Sequence, residues 1–395
     1  MDSAHRDTSR TLLRIAMLLF ILTIVIGILN GTDLWNPDRN TLLTHVHSGT
    51  LGWLSLATVG GALLIFGPGP SPRDVGTTRW MALLLAGTII LYVAAFWSGT
   101  GIQRPIAGSL VFVTMLWVLG WSIRRMRTEA TTTPRFAMVF AFVSMVIGAI
   151  FGLILGLVIA GRSVPGISGT AAGRIADAHP GSMVIGFLVL SGLALAEWLL
   201  RDEQQPLTAW GIAQVLVVFV AGASLIVGML ADSDQLLTLN VPLEVVGIVI
   251  FVARLRKELR PGRWSRGRSG PLAPVAVMAL ILSVVLLGYV VSRIVGGAEF
   301  TDILPYLLAL DHITFIGVMT NLLFGLAITV AGGWDGSLTD RLIVWGVNLG
   351  LATFAVGLIT ESPALKRIGT PLMGAALLLG IWTFFKALSR KDAAA

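Results

Sequence analysis

The sequence predicts an all-α polytopic membrane protein of twelve transmembrane helices, and three observations predict it. Of 395 residues, 55% are hydrophobic and only 12% are charged, against roughly 25% charged in soluble globular proteins. The mean hydropathy is positive, +0.85. Apolar segments long enough for about 20 residues of spanning helix occur over 12–30, 45–67, 79–98, 103–123, 135–160, 179–200, 208–230, 238–256, 271–295, 303–330, 339–359 and 370–388.

The first segment follows Arg6 and Arg10 and contains Arg14, a pattern it shares with secretory signals. Its length, the lack of a small-residue cleavage site and the spans that follow make it a retained first helix. Arg73 and Arg79 follow the second segment, and Arg124, Arg125, Arg127 and Arg135 follow the fourth. The loop after the eighth holds Arg254, Arg256, Lys257, Arg260, Arg263, Arg266 and Arg268. If the spans alternate, all of these fall on one side, which is then cytoplasmic together with both termini. The opposite loops carry Asp33, Asp38, Asp232, Asp234, Glu299 and Asp302. The net charge of +7 thus reflects membrane orientation, and nucleic acid is excluded as a partner; the lipid bilayer is the surrounding one.

Histidine is scarce, with five in the chain. His45, His47, His179 and His312 fall at the outer ends of the second, sixth and tenth segments and so share one depth. His47 and His179 are 132 residues apart, and His179 and His312 are 133. His47-Ser48-Gly49-Thr50 matches His179-Pro180-Gly181-Ser182. Pro105, Pro242 and Pro371 recur at the outer end of every fourth segment, where a first helical turn tolerates proline because its missing donor would be unpaired anyway. These markers predict three pseudo-repeated four-helix units, 1–130, 131–265 and 266–395, within a single membrane domain.

Cysteine is absent, which excludes disulfides, iron–sulfur clusters and thiolate-ligated haem. A buried imidazole needs a partner, since an unpaired polar group in hydrocarbon costs several kcal/mol. Haem iron or another metal supplies one. His45 and His47 point about 200° apart around a helix, so one helix can serve two separate groups. A haem between the second and sixth helices could use His47 and His179, with His45 facing another pocket and His312 reaching either.

Asp311 could orient His312 or supply a metal oxygen ligand, or it could cap its helix. Gln103 and Arg104 could meet haem propionates, and Arg104 equally could snorkel to the surface. Gly49 and Gly52 allow close approach of a flat macrocycle or of a neighbouring helix. Glu244 and Glu197 are candidates for a proton path, with an interfacial role open to Glu197 beside Trp198. Asn240, Asn321 and Asn348 read as helix-packing groups. His5 lies in a polar tail with no structural role.

The run Thr44-His45-Val46-His47-Ser48-Gly49-Thr50-Leu51-Gly52-Trp53 resembles the paired-histidine helix in subunit I of the haem-copper oxidases, most nearly the cbb-type cytochrome oxidases and nitric oxide reductases. The resemblance implies twelve helices in three arcs of four, a bacterial-type cytoplasmic (inner) membrane, and one or two haem b groups. By it, His45 matches the axial ligand of the high-spin haem and His47 an axial ligand of the low-spin haem. The motif opens the second helix here and belongs to the tenth in that family. Rotation of the arcs makes His179 the second low-spin ligand and puts His312 at the first copper ligand. The family's adjacent histidine pair for copper is missing, so copper or non-haem iron is a possible rather than an implied occupant.

The function expected is haem-b-based electron transfer, or reduction or sensing of a diatomic gas such as nitric oxide or oxygen. A redox electron donor and a second membrane or cytochrome subunit are the expected partners. The alternative is a non-catalytic copper- or metal-binding or transport membrane protein. Whether the chain is an enzyme stays open at this point.

Overall fold

The computed structural model describes residues 5–67, 72–264 and 267–390. Among them, twelve helices are long and apolar enough to cross a membrane: α1 (Arg6–Gly31), α2 (Arg39–Phe66), α3 (Arg73–Trp97), α4 (Gln103–Thr128), α5 (Thr133–Ile159), α6 (Gly169–Leu200), α7 (Ala209–Ala231), α8 (Asp234–Arg254), α9 (Leu272–Val295), α10 (Phe300–Ala331), α11 (Leu338–Ile359) and α12 (Pro363–Ser389). Each coincides with one predicted segment, the closely spaced third and fourth included. Arg266, and with it the boundary between the second and third predicted units, lies outside the described residues.

Polar side chains set several of the starts by accepting from backbone N–H groups that the first turn leaves unpaired. Asp38 accepts from Thr41 at 2.8 Å before α2, Ser168 from Ala171 at 3.3 Å before α6, and Ser337 from Asp340 at 3.2 Å before α11. The bond from the Thr41 N–H, which favours the ionised form, holds the Asp38 carboxyl below its ordinary range. Two starts differ from the hydropathy reading. α6 begins at Gly169 and α12 at Pro363, upstream of the apolar runs at 179 and 370, because small and polar residues extend the first turns of both helices. His179 therefore lies well inside its helix. Pro105 is in the first turn of α4 as expected, whereas Pro242 and Pro371 are interior helix positions.

α2, α6 and α10 form the centre. Between 83% and 94% of their most apolar stretch is buried, against 22% to 50% in the other nine helices. Their C-terminal halves touch pairwise, and α12 returns to pack on α1 at the edge of the bundle. Each central helix changes to π-helical winding shortly after a histidine, over Ser48–Ser55, Ser182–Leu188 and Ile313–Thr320. Such wide turns are rare and concentrate at functional sites.

One glycine in each π segment is pressed against the helix that precedes it in sequence. A Cβ on Gly52 would lie 2.9 Å from Leu19 of α1, one on Gly186 2.8 Å from Ser144 of α5, and one on Gly317 3.0 Å from Ala279 of α9. Hydroxyls support the wide winding: Ser55 bonds the Thr50 carbonyl and Thr320 the Phe315 carbonyl, each five residues back, at 2.8 Å. The Trp53 indole N–H then donates to Thr320 at 3.0 Å, tying α2 to α10.

At the arginine-rich end, Arg254 of α8 grips both carboxylate oxygens of Glu197 on α6, at 2.7 and 2.9 Å, and donates to Thr133 of α5 at 3.0 Å. Glu197 is thus a buried ion-pair partner, and the interfacial role expected for it is replaced by a structural one. Asn321 and Asn348 exchange amide hydrogen bonds at 2.8 and 3.2 Å between α10 and α11, and Asn240 donates to the Ala221 carbonyl of α7 at 2.9 Å. All three pack helices together. His5 departs from its reading as an idle tail residue: it is 1% exposed and sits edge-on to Trp121 of α4, with ring centroids 6.5 Å apart.

Candidate functional site

The four intramembrane histidines are built alike at one atom. A carbonyl oxygen can only accept a hydrogen bond, so a ring nitrogen bonded to one must carry the proton. His45 Nδ1 donates to the Thr23 carbonyl of α1 at 2.9 Å, and His179 Nδ1 to the Gly148 carbonyl of α5 at 2.9 Å. His47 Nδ1 donates to the Leu43 carbonyl at 2.8 Å and His312 Nδ1 to the Leu308 carbonyl at 2.7 Å, each four residues back on its own helix. In a neutral ring this leaves the lone pair on Nε2, the arrangement in which imidazoles serve as metal ligands with a backbone carbonyl behind them.

The rings divide between two cavities. His47 and His179 line one of about 270 Å³, walled by Leu51, Val111, Met145 and Met183. His45 and His312 line another of about 500 Å³, with Phe20, Gly49, Trp53 and Phe354. The opposed directions of His45 and His47 on α2 therefore serve different spaces, and His312 joins His45 rather than the other pair.

Aromatic and glycine neighbours hold the rings. His47 stacks on Phe96 of α3 at 3.9 Å between centroids and meets Tyr92 edge-on at 5.8 Å. His312 meets Phe354 edge-on at 4.9 Å. His45 and His179 lie over glycines instead: a Cβ on Gly27 would fall 3.1 Å from His45 Cε1, and one on Gly152 would fall 3.1 Å from His179 Cε1. Ser48 Oγ donates to the His45 carbonyl at 3.2 Å and Ser182 Oγ to that of His179 at 2.8 Å. These contacts pair His45 with His179. The sequence match is between His47 and His179, whereas the like local contacts are those of His45 and His179.

The other predicted residues take varied places. Gly49 borders the His45 cavity and also brings α2 against α1, where its Cβ would lie 3.1 Å from Thr23 Cγ2. Arg104 is buried and lines neither histidine cavity; it donates to Asn40 at 2.8 Å and to the Phe96 carbonyl at 3.1 Å, and its guanidinium lies 4.4 Å from the centre of the Phe96 ring. It braces the ring on which His47 stacks. Gln103 reaches Ser98 at 3.4 Å.

Asp311 borders both histidine cavities. It does not orient His312, whose Nδ1 is held by Leu308. Glu244 is fully buried, with one carboxylate oxygen unpartnered among the described residues, and it borders neither cavity.

Gly27, Gly152, Phe96 and Tyr92 escaped the sequence reading. The signal for the glycines was present: Thr23 and Gly27, like Gly148 and Gly152, are four residues apart on the helix before each histidine helix. Among the described residues, no three His, Asp or Glu side chains converge as a metal-ion cluster. A haem needs only one or two axial imidazoles, so this arrangement and a haem are compatible. No protein-family model matches the chain, and no curated protein matches it.

Proposed function

We propose that the chain is a haem-b-binding redox protein of a bacterial-type cytoplasmic membrane, related to subunit I of the haem-copper oxidases. One observation carries the reading: four imidazoles, each with Nδ1 tied to a carbonyl, are paired across two apolar cavities as His47 with His179 and His45 with His312. The donor set suits haem b, because neutral imidazole ligates iron well and apolar walls accept a macrocycle. In this reading His47 and His179 hold a low-spin haem, and His45, with His312, holds a second haem or a copper or non-haem iron centre.

When bound, haem supplies the iron at which an electron or a diatomic gas such as nitric oxide or oxygen is handled. The residues of the chain do the rest. The Thr23, Leu43, Gly148 and Leu308 carbonyls set the direction of each ring. Gly27 and Gly152 leave room beside His45 and His179, Phe96 and Phe354 fix His47 and His312, and Leu51, Val111, Met145 and Met183 give the His47–His179 cavity an apolar wall.

The three-unit architecture belongs to the same reading. Its support is the recurrence of π winding and of a crowded glycine in α2, α6 and α10. The Arg- and Lys-rich loops support cytoplasmic termini.

The test is an optical spectrum of the purified protein, oxidised and reduced, with haem extraction and metal quantification. His47→Ala and His179→Ala should each remove the same low-spin signal, and His45→Ala and His312→Ala should spare it. A folded preparation with no haem sinks the proposal.

A further inference from the structure

The end of the bundle that holds Arg254 carries a space of another kind. Where α6 ends at Leu200, α7 starts at Ala209 and α8 ends at Arg254, the surface is recessed by about 800 Å³. None of the residues lining this recess borders either histidine cavity.

Its lining has a cationic side and an apolar side. Arg201, Arg254, Arg256 and Lys257 border it, against Glu258 as the one carboxylate among the described residues. Val249, Ile250 and Trp210 make the apolar side. Trp210 and Val249 are 66% and 60% exposed on helices that cross the membrane, so this side opens to the surrounding lipid. An indole near a helix end is at home at that depth.

The positive charge is only partly matched. Arg254 is committed to Glu197, and Arg201 approaches the same carboxylate with Nε at 3.5 Å, so two cations share one buried negative charge. Arg256 and Lys257 are exposed and have no hydrogen-bond or ion-pair partner among the described residues. The start of α7 adds the partial positive charge of a helix N-terminus.

The backbone fixes these groups. Leu255 is fully buried, and the Glu258 and Leu259 N–H groups donate to its carbonyl at 3.0 Å, so the turn after α8 presents Arg256 and Lys257 outward. Before α7 the Leu207 N–H donates to the Thr131 carbonyl at 2.9 Å, and Thr208 Oγ1 accepts from the Gly211 N–H at 3.2 Å.

A fixed cationic rim beside a lipid-facing apolar wall calls for an anion with an apolar body. A free phosphate or nucleotide would satisfy the cations and leave Val249, Ile250 and Trp210 unused. A zwitterionic lipid would cover those residues and leave the surplus positive charge unmatched. We propose that the recess binds an anionic phospholipid, its phosphate among Arg201, Arg256 and Lys257 and its acyl chains along Val249 and Trp210. Glu258 offers an acceptor to a headgroup hydroxyl, which makes phosphatidylglycerol the fitting class. Such a lipid bridges the end of α6, the start of α7 and the end of α8, and so stabilises their packing. Its binding does not depend on haem.

The test uses purified full-length protein, delipidated in detergent and titrated separately with phosphatidylglycerol and phosphatidylcholine. Binding is read by native mass spectrometry and stability by thermal unfolding. Preferential retention of phosphatidylglycerol, with a raised melting temperature, is expected. Arg256→Gln with Lys257→Gln should weaken its binding about 25-fold, about fivefold for each cation lost beside an anionic headgroup. Arg73→Gln with Arg127→Gln removes the same charge elsewhere in the arginine-rich loops and should leave binding unchanged. Ala253→Trp fills the recess with its charges intact and should abolish binding. Phosphatidylglycerol with a photoreactive acyl chain should label 205–212 and 245–258.

Equal retention of the two lipids, equal losses in the two charge-removal variants, or binding that survives Ala253→Trp overturns the proposal. Label confined to other segments does the same. So does displacement of the lipid by equimolar inorganic phosphate, which would assign the recess to a soluble anion.

Discussion

His45 and His179 make the same contact on different helices: each donates Nδ1–H to a carbonyl on the preceding helix at 2.9 Å, with its Cε1 over the glycine four residues further on. The two rings belong to different cavities, so their shared geometry can be tested one cavity at a time. Gly152→Ala places a methyl 3.1 Å from the His179 ring, tighter than an ordinary carbon contact. If the chain holds haem as proposed, it should perturb the low-spin spectrum and leave ligand binding at the His45 centre intact. Gly27→Ala should do the opposite, with carbon monoxide binding to the reduced protein as the readout.

The Glu197–Arg254 pair gives a stability prediction. Both side chains are largely buried, 3% and 11% exposed, and removing Arg254 leaves the Glu197 charge largely stranded, with Arg201 alone at 3.5 Å. Arg254→Met should cost about 3 kcal/mol and lower the thermal midpoint in detergent. Glu197→Gln with Arg254→Met should recover much of that loss. A double variant as unstable as the single one would contradict the stranded-charge account.

The crowded glycines predict a graded response. A methyl on Gly186 meets both Ser144 Cβ and Oγ within 3.0 Å, and overpacking of this kind costs about 1–3 kcal/mol. Gly186→Ala should lower the melting temperature, and adding Ser144→Gly should restore part of it.

The Asn321–Asn348 exchange predicts a smaller effect. Asn348→Leu removes both interhelical amide bonds, although Asn321 keeps its bond to the Gly317 carbonyl at 2.8 Å. A loss of about 1 kcal/mol is expected, read as easier thermal separation of α10 and α11 in crosslinking.

His5 predicts a pH dependence. Burial first, and then the Arg125 guanidinium, push its imidazole below the ordinary value of 6.5, against weaker opposing effects of Asp74 and Glu129. The folded chain then binds fewer protons than the unfolded chain as the pH falls through 6.5, so the stabilising contribution is present above that value and lost below it. Between about pH 7.5 and about pH 5.5 the melting temperature should fall further for the parent than for His5→Phe. Equal slopes would remove His5 as the cause.

The twelve helices were legible in the sequence because membrane burial demands a long apolar run for every crossing, and that demand is local. The histidine helix of residues 44–53 was legible for the same reason, since imidazoles are costly in such a run, and the opposed directions of His45 and His47 followed from helix geometry alone. The starts of α6 and α12 were not legible, because their first turns lack the apolar composition that marks a crossing. Only the tertiary structure decided the partners. It paired His47 with His179 and His45 with His312, assigned Glu197 to Arg254, buried His5 against Trp121, and set Asp311 beside both histidine cavities. These depend on which helix faces are brought together across long stretches of chain, and a hydropathy pattern says which residues are buried without saying against what.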